Sequence, residues 1–226
     1  MFSRSEALLG HEAIERLARS RVAVFGVGGV GGWCAEALVR TGVGRLLVVD
    51  DDVVRPSNLN RQCPATSRTL GRAKVEALAE RLAEINPSVE IETRCERFLP
   101  DSDASAFAGC DAVVDAIDSV DCKAKLILAA VGSGLPFVSS MGAALRIDPT
   151  RVEVRRFDRV EGDGLARALR QRFKRLGTYP AHPFACVCST EPPRHAEGET
   201  RGSLMSVTAT FGMCLASETI RNLSRE

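Results

Sequence analysis

The residues best suited to chemistry begin with a glycine-rich turn, GVGGVG at residues 26–31, which follows the β-branched run VAVF and precedes a helix-like stretch. In a G-x-G-x-x-G turn, Gly26 permits the tight bend, Gly28 lets backbone approach a phosphate, and Gly31 allows close packing of helix on strand. Free N–H groups at the helix N-terminus, next to Gly29, favour an anion. The pattern predicts a nucleotide site without separating ATP from a nicotinamide dinucleotide.

Carboxylates follow two further apolar runs. Asp50 closes the run RLLVVD, where it can accept hydrogen bonds from a ribose. Asp51 and Asp52 come next, and three adjacent carboxylates exceed what ribose recognition needs, so they suggest a divalent cation. Asp118 closes the run DAVVDAID, which predicts a Mg²⁺ ligand at the sheet edge where open sheets bind ligands.

Polar and basic residues arrive between these carboxylates: Asn58, Arg61 and Gln62 lie in the segment NLNRQ, and Lys74 opens the next helical pattern. A hydride-transfer enzyme needs no Arg and Lys beside its glycine turn. Departure of pyrophosphate builds negative charge that fixed cations stabilise, so the pattern favours ATP over NAD. Arg61 and Lys74 could also be solvated surface charges, and Asp118 could cap the following helix.

Alternating strands and helices must position these residues. The apolar runs predict strands at 22–25, 45–50, 89–95, 111–118 and 136–142. Helical patterns separate them at 32–42, 71–85 and 121–131. This alternation predicts an α/β fold, a Rossmann-like, doubly wound and mostly parallel sheet.

The pattern changes after Pro149. We expect residues 1–150 to form an ATP-binding domain with an N-terminal helix, and residues 151–226 to form an extension packed on the same domain. Within the extension we predict strands at 151–157 and 185–190, a substrate-facing helix at 165–176, a mobile polar loop at 191–203 and a terminal helix at 204–223.

The motifs GVGGVGG, VVDDD, SNLNRQ, GRAKVE and DAIDSV, in this order, resemble the E1-like adenylating enzymes. These enzymes include ubiquitin-type activating enzymes and bacterial activators of sulfur-carrier proteins. The resemblance covers about residues 3–150. It implies ATP and Mg²⁺ as cofactors, and a nucleotide site that includes Asp52 and Gln62. The roles that it implies are ribose binding by Asp50, phosphate contacts by Asn58, Arg61 and Lys74, and magnesium binding by Asp118.

Near the N-terminus, Phe2-Ser3-Arg4 resembles the arginine finger that members of this superfamily insert into the partner subunit's ATP site. The resemblance therefore implies a homodimer in which Arg4 is catalytic, together with Arg61, Lys74 and Asp118. Arg4 could also be no more than a frayed terminal charge.

Within the superfamily, INPSVEIET, SSMGAALRIDPTRVEV and CSTEPPR resemble the tRNA threonylcarbamoyladenosine dehydratases. That resemblance implies adenylation of the threonine carboxylate of the modified base beside the anticodon, then ring closure with loss of AMP. No protein nucleophile is required. A cysteine desulfurase or a sulfur-acceptor protein is a further candidate partner.

Three other functions compete with this one. An adenylyltransferase for a ubiquitin-like sulfur carrier is the main alternative, but those enzymes usually bear two Cys-x-x-Cys zinc pairs, which this sequence lacks. A nucleotide-sensing scaffold without turnover conflicts with the intact Arg61, Lys74 and Asp118. An NAD-dependent oxidoreductase does not need the two cations.

Composition restricts the remaining classes. The 226 residues suffice for one large α/β domain, and 45% apolar with 26% charged residues is typical of a folded globular protein. The charged N-terminus and the absence of a long apolar run predict a cytoplasmic protein without stable membrane association. The eight scattered cysteines are expected to be mostly structural.

The net charge is only +1, so an affinity for a polyanion needs a local patch. Residues 164–190 contain five basic side chains and no acidic one. On a helix, Arg167, Arg170 and Lys174 share one face, which predicts either a solvated surface or a contact with tRNA phosphates.

Overall fold

The computed structural model describes residues 1–99, 101–194 and 201–225, and places seven strands in one sheet of order β3-β2-β1-β4-β5-β7-β6. The strands are β1 Arg21–Phe25, β2 Arg45–Val49, β3 Glu90–Arg94, β4 Ala112–Asp115, β5 Phe137–Ser140, β6 Val152–Arg156 and β7 Ala185–Ser189. All neighbours pair in parallel except β6, which is antiparallel to β7. The predicted α/β class is confirmed.

Helices cover both faces of this sheet. They are α1 Ser3–Leu9, α2 His11–Arg19, α3 Gly31–Thr41, α4 Lys74–Ile85, α5 Val120–Ser133, α6 Gly164–Leu176 and α7 Met205–Ser224. The central strand explains the apolar runs: Val22 and Val24 face the core that includes α3, α4 and α7, whereas Ala23 and Phe25 face the core of α5 and α6. A strand buried on both faces cannot alternate between apolar and polar residues.

The terminal helix α7 packs tightly on α3. A Cβ placed on Gly212 would lie 2.5 Å from the carbonyl oxygen of Val30 and 2.9 Å from the Cβ of Trp33, so only glycine allows this approach. Near the start of α7, the side chain of Thr208 also packs on the turn, 3.4 Å from where a Cβ on Gly29 would lie. The last helix of the chain therefore supports the glycine turn that follows its first strand.

Two boundaries differ by three residues from the sequence prediction. The helix predicted from Gly71 begins at Lys74, because Gly71 has a φ of 81° and Ala73 forms an isolated bridge with Val53. The strand predicted to end at Asp118 ends at Asp115. The predicted loop at 191–203 falls partly outside the described residues, which omit 195–200; its described parts form no helix or strand.

The strand order reverses between β1 and β4, because the chain moves from β1 to β2 on one side and returns to β4 on the other. In open α/β sheets, the carboxyl ends of strands at such a reversal form a crevice that binds ligands. Gly26 follows β1 at this edge, and Ala116 follows β4.

Candidate active site

A cleft of about 970 Å³ opens at this edge of the sheet. It is lined by most of the residues selected from the sequence, namely Gly26, Gly28, Gly29, Asp50, Asp52, Asn58, Arg61, Gln62, Lys74 and Asp118. Gly31 lies behind the turn, and Arg4 is on a different part of the surface. The sequence motifs thus meet in one place, whereas the roles assigned to these residues stay predictions.

The glycine turn has the geometry that its spacing predicts. Gly26 has a φ of 82°, and a Cβ there would lie 2.7 Å from the carbonyl oxygen of Ala116. A Cβ on Gly31 would lie 1.8 Å from the carbonyl oxygen of Gly26, which no side chain tolerates. At Gly28 an ideal Cβ would only touch the Gln62 side chain, whose Nε2 is 3.6 Å away, and Gly28 lines the cleft.

Asp50 joins the end of β2 to the glycine turn. Its Oδ2 accepts a hydrogen bond from the Val27 N–H at 2.8 Å, and its Oδ1 accepts from the Asp52 N–H at 2.9 Å. Burial raises the pKa of Asp50, and the nearby Lys74 charge acts against that shift. Asp50 therefore fixes the turn as well as offering its remaining lone pairs to the cleft.

Lys74 lies at the start of α4 and is almost fully buried, with 6% of its side chain exposed. Its Nζ donates to the Asp52 Oδ2 at 2.8 Å, and this bond is the main reason that the pKa of Asp52 is lowered. A buried ammonium with a half-exposed carboxylate beside it places a fixed positive charge in the cleft wall.

The segment between β2 and α4 supplies the amide and guanidinium groups. Asn58 is buried, and its Oδ1 accepts from the Arg55 N–H at 2.9 Å. The guanidinium of Arg61 donates to the Ser57 carbonyl at 2.9 Å. Gln62 is 9% exposed, and its Oε1 has no hydrogen-bond partner among the described residues. A buried amide without a partner at the cleft wall suits a polar ligand.

Glu36, which the sequence analysis did not select, holds this segment in place. It is buried in α3 and accepts from the Arg81 Nε at 2.7 Å, the Arg40 Nε at 2.8 Å and the Cys63 Sγ at 3.1 Å. Burial opposes its ionisation, but the hydrogen bonds from Arg81, Cys63 and Arg40 outweigh burial and lower its pKa. The only sequence signal was the i,i+4 spacing of Glu36 and Arg40.

Asp118 requires a correction. It is not at a strand end but three residues beyond Asp115, in the loop between β4 and α5, where it is exposed and lines the cleft. The N-cap of α5 is Ser119, so Asp118 does not serve as the helix cap. Its carboxylate takes part in no ion pair with the described residues.

A second group that the sequence analysis missed lies directly beneath this loop. The Asp115 Oδ2 accepts from the Lys123 Nζ at 2.7 Å and from the Ser139 Oγ at 2.7 Å, and all three side chains are buried. The Lys123 Nζ also donates to the Ile117 carbonyl at 3.0 Å. The loop that carries Asp118 is thereby fastened to β4, β5 and α5.

The far half of the cleft is formed by the loop after β5 and the start of α6. Arg146, 3% exposed, donates to the Asp163 Oδ2 at 3.0 Å and to the Gly142 carbonyl. The Asp163 Oδ1 accepts from the Ala166 N–H at 2.9 Å, which caps α6. This ion pair fixes the start of α6, whose first turn lines the cleft. The cleft on this side has space for a second molecule beside the nucleotide half.

Arg4 lies at the opposite edge of the sheet. The ring of Phe2 packs against Gly42, which follows the C-terminal end of α3, whereas the cleft is at the N-terminal end of that helix. Eleven helical residues span about 16 Å. Arg4 therefore does not take part in the cleft of its own chain.

One of the three residues predicted to form an exposed basic face on α6, Arg170, does not belong to it. The guanidinium of Arg170 donates to the Val160 carbonyl at 2.6 Å and to the Phe157 carbonyl at 2.8 Å, and lies over the Phe157 ring. It is therefore a packing residue. Arg167 and Lys174 are exposed, as predicted.

The comparisons with known proteins agree with this geometry. The ThiF family profile matches residues 2–226. The tRNA threonylcarbamoyladenosine dehydratase of Escherichia coli is 35% identical over 98% of this chain and 92% of its own length. The enzyme of the same name from Bacillus subtilis is 40% identical over 78% of this chain and 70% of its own length.

The chain belongs to the ThiF family. Within that family it groups with the tRNA threonylcarbamoyladenosine dehydratases. A crystal structure of the E. coli dehydratase in complex with AMP superposes with a TM-score of 0.93 at 36% identity, covering 98% of this chain and 93% of the other. A further structure of the same enzyme contains ATP.

These findings confirm the family, the fold and the class of ATP-dependent tRNA-modifying enzyme. The sulfur-carrier alternative is more distant: the molybdopterin-synthase adenylyltransferase of Salmonella typhimurium is 36% identical, but over 61% of this chain and 54% of its own length. Among the described residues, no helix has the length and apolar character needed to cross a membrane.

Proposed function

We propose that this member of the family adenylates the threonine carboxylate of threonylcarbamoyladenosine in tRNA and closes it to a ring, with Mg²⁺ held at Asp118. The observation that carries the proposal is the cleft itself. One half has the glycine turn and two fixed cations, Arg61 and Lys74, and the other half, at Gly142 and α6, is open to a second substrate.

The residues present fit ATP. Gly28 and Val30, next to the N-terminus of α3, line the cleft. The side-chain oxygen of Gln62 lacks a hydrogen-bond partner within the described residues. Mg²⁺ would need ligands from the nucleotide as well as from the protein. In the described ranges, no group of three His, Cys, Asp or Glu side chains that could hold a metal occurs. One carboxylate together with phosphate oxygens is a common way to bind Mg²⁺, and Asp118 is suited to be that carboxylate.

ATP would supply an AMP group that joins one oxygen of the threonine carboxylate with release of pyrophosphate, so that AMP is the good leaving group when the ring closes. The remaining chemistry is done by position and charge. Lys74, held rigid by Asp52, stabilises the negative charge that develops as pyrophosphate departs, and Arg61 assists from the opposite side of the turn. The first turn of α6 orients the modified base so that ring closure is effectively unimolecular.

The homodimer is part of this proposal. Since Arg4 is at the far edge of its own sheet, it can contribute to catalysis only in the cleft of a partner subunit. The cytoplasmic location and a cysteine desulfurase or sulfur-acceptor protein as partner stay predictions from the sequence. So does the division of the chain at residue 150.

The test is mass spectrometry of nucleosides from tRNA incubated with the protein, ATP and Mg²⁺. Threonylcarbamoyladenosine should lose one water, and AMP should form in equal amount. A parallel calorimetric titration should give tight ATP binding and weak NAD binding. Unchanged tRNA nucleosides together with adenylation of a sulfur-carrier C-terminus would support the alternative instead.

A further inference from the structure

A second concavity, of about 410 Å³, opens beside the C-terminal half of α6. It is lined by Phe157, Arg170, Phe173, Tyr179 and the segment 180–184. Its floor is rigid, because the rings of Phe157 and Phe184 stack with centroids 4.9 Å apart and an angle of 15° between their planes. The guanidinium of Arg170 lies 5.1 Å from the Phe157 centroid and completes this floor.

Tyr179 forms the open wall of this pocket. It is the single tyrosine of the chain, and it is 61% exposed, whereas Phe157, Phe173 and Phe184 are all buried. Pro180 follows it and restricts the backbone at this point. An exposed aromatic ring above an apolar floor offers a stacking surface for another planar ring.

The charge around the pocket is positive. Arg167, Lys174 and Arg175 are exposed on α6 at helical spacing, and none of them forms an ion pair with another described residue. The acidic group that lines the pocket, Asp158, already pairs with Arg156 at 2.9 Å. The pocket therefore suits a planar ring that is attached to a polyanion.

The helix α6 connects this pocket to the active-site cleft. Gly164, Leu165 and Ala168 line the cleft, and Arg170 and Phe173 line the second pocket. Five helical residues separate Ala168 from Phe173, about 8 Å along the axis and about 140° around it, so the cleft and the second pocket lie on different faces of the same helix.

We propose that this second pocket binds an unpaired base of the tRNA anticodon loop other than the base being modified. That base stacks on Tyr179, and Arg167, Lys174 and Arg175 contact the adjoining phosphates. Single-stranded loops are recognised in this way, by aromatic stacking together with a basic groove. The inference rests on the proposed function, because it takes tRNA as the substrate.

The experiment measures fluorescence anisotropy of a labelled anticodon stem-loop that carries threonylcarbamoyladenosine. Tyr179→Ala should weaken binding about tenfold, and Tyr179→Phe, which keeps the ring, should stay within about twofold of wild type. Replacing Arg167, Lys174 and Arg175 with Ala should flatten the log-log salt dependence by about two units, at ~0.7 per phosphate contact. The control Arg19→Ala removes an exposed charge at the opposite edge of the sheet and should change neither quantity.

Conversion of threonylcarbamoyladenosine by the wild-type protein distinguishes a failure of this inference from a failure of the proposed function. If the wild-type protein modifies the stem-loop and Tyr179→Ala binds it with unchanged affinity, the pocket assignment is wrong and the proposed function stands. If Tyr179→Phe loses as much affinity as Tyr179→Ala, stacking is rejected. If wild type neither binds nor modifies the RNA, the proposed function itself fails. Equal ATP affinity and melting temperature in all variants show that they are folded.

Discussion

The Nζ of Lys123 lies 2.7 Å from the Oδ2 of Asp115, and neither side chain has any exposure to solvent. Both charges have further partners, since Ser139 donates to Asp115 and Lys123 donates to the Ile117 carbonyl. The Asp115 Oδ1 in turn accepts from the Ile117 N–H at 3.0 Å. A buried ion pair with these additional hydrogen bonds favours one conformation of the loop that carries Asp118.

We expect Lys123→Met to destabilise the protein by about 3–5 kcal/mol, because it leaves the Asp115 carboxylate buried without its counter-charge. Urea denaturation measures the effect. The neighbouring Lys125→Met, on a part-buried lysine of the same helix, is the matched control and should stay within about 0.5 kcal/mol of wild type. The double variant Lys123→Met, Asp115→Leu should recover part of the loss, since no charge is then left alone. A Lys123→Met protein as stable as Lys125→Met contradicts this account.

Lys74→Ala and Asp118→Ala should each slow AMP formation by roughly 10²-fold. Arg55→Ala is the control for Lys74, since Arg55 also contacts Asp52, at 3.4 Å, but lies outside the cleft lining. Stopped assays with labelled ATP measure turnover, and thermal melts check folding. Full activity in both cleft variants would mean that Lys74 and Asp118 have no role in AMP formation.

If Arg4 acts in the cleft of the partner subunit, activity should depend on how variant subunits are combined. Homodimers of Arg4→Ala and of Lys74→Ala should both be poorly active. After subunit exchange, each hybrid should regain about half of the wild-type activity, because one of its two clefts has both groups. Native mass spectrometry verifies the exchange. Verified hybrids without recovered activity would mean that Arg4 does not act across a dimer.

Thiol reactivity should divide the eight cysteines into unequal classes. Cys95 is exposed, whereas burial raises the pKa of Cys34, Cys110 and Cys186, and burial together with Glu36 raises the pKa of Cys63 to about 12. At a pH of about 8, a chromogenic disulfide should label one thiol quickly. The variant Cys95→Ser should lose that fast phase. Fast labelling of any of the six buried cysteines would contradict the closed core; the half-buried Cys214 should react more slowly than Cys95.

The stability that Glu36 provides should depend on pH. Its folded-state pKa lies below the ordinary value of 4.5, so its contribution is present above that value and is lost as pH falls through the folded pKa. Glu36→Gln should therefore be less stable than wild type by about 2 kcal/mol near neutral pH, and the difference should shrink in acid below about pH 4. Urea midpoints across this range measure it. A difference that stays constant with pH would mean that the charge of Glu36 is unimportant.

The sequence was sufficient for the fold and for the residues that line the half of the cleft beside the glycine turn. Apolar runs buried on both faces, such as VAVF, and a glycine turn with one permitted geometry are strong local signals. Asp118 was selected correctly for the cleft, but its element was wrong, because the apolar run continues past Asp115 into a loop held by tertiary hydrogen bonds.

The positioning groups could not be found in the same way. In the sequence, Lys123 and Glu36 are single charged residues in helical patterns. Their partners, Asp115 of β4 and Arg81 of α4, come beside them only in the folded structure. Arg170 was misassigned for a related reason: on a helical projection it shares a face with Arg167, but the carbonyls of Phe157 and Val160 draw its guanidinium inward. Helical spacing alone does not show where a long side chain ends.

The contact between Gly212 and Val30 has a consequence for synthesis on the ribosome. The glycine turn after β1 leaves the ribosome early, but α7, which supports it, is made much later. The packing of the turn is therefore incomplete until α7 has been made, and the strands beside it have exposed edges during that time. We expect affinity for nucleotide to arise only after α7 has left the ribosome.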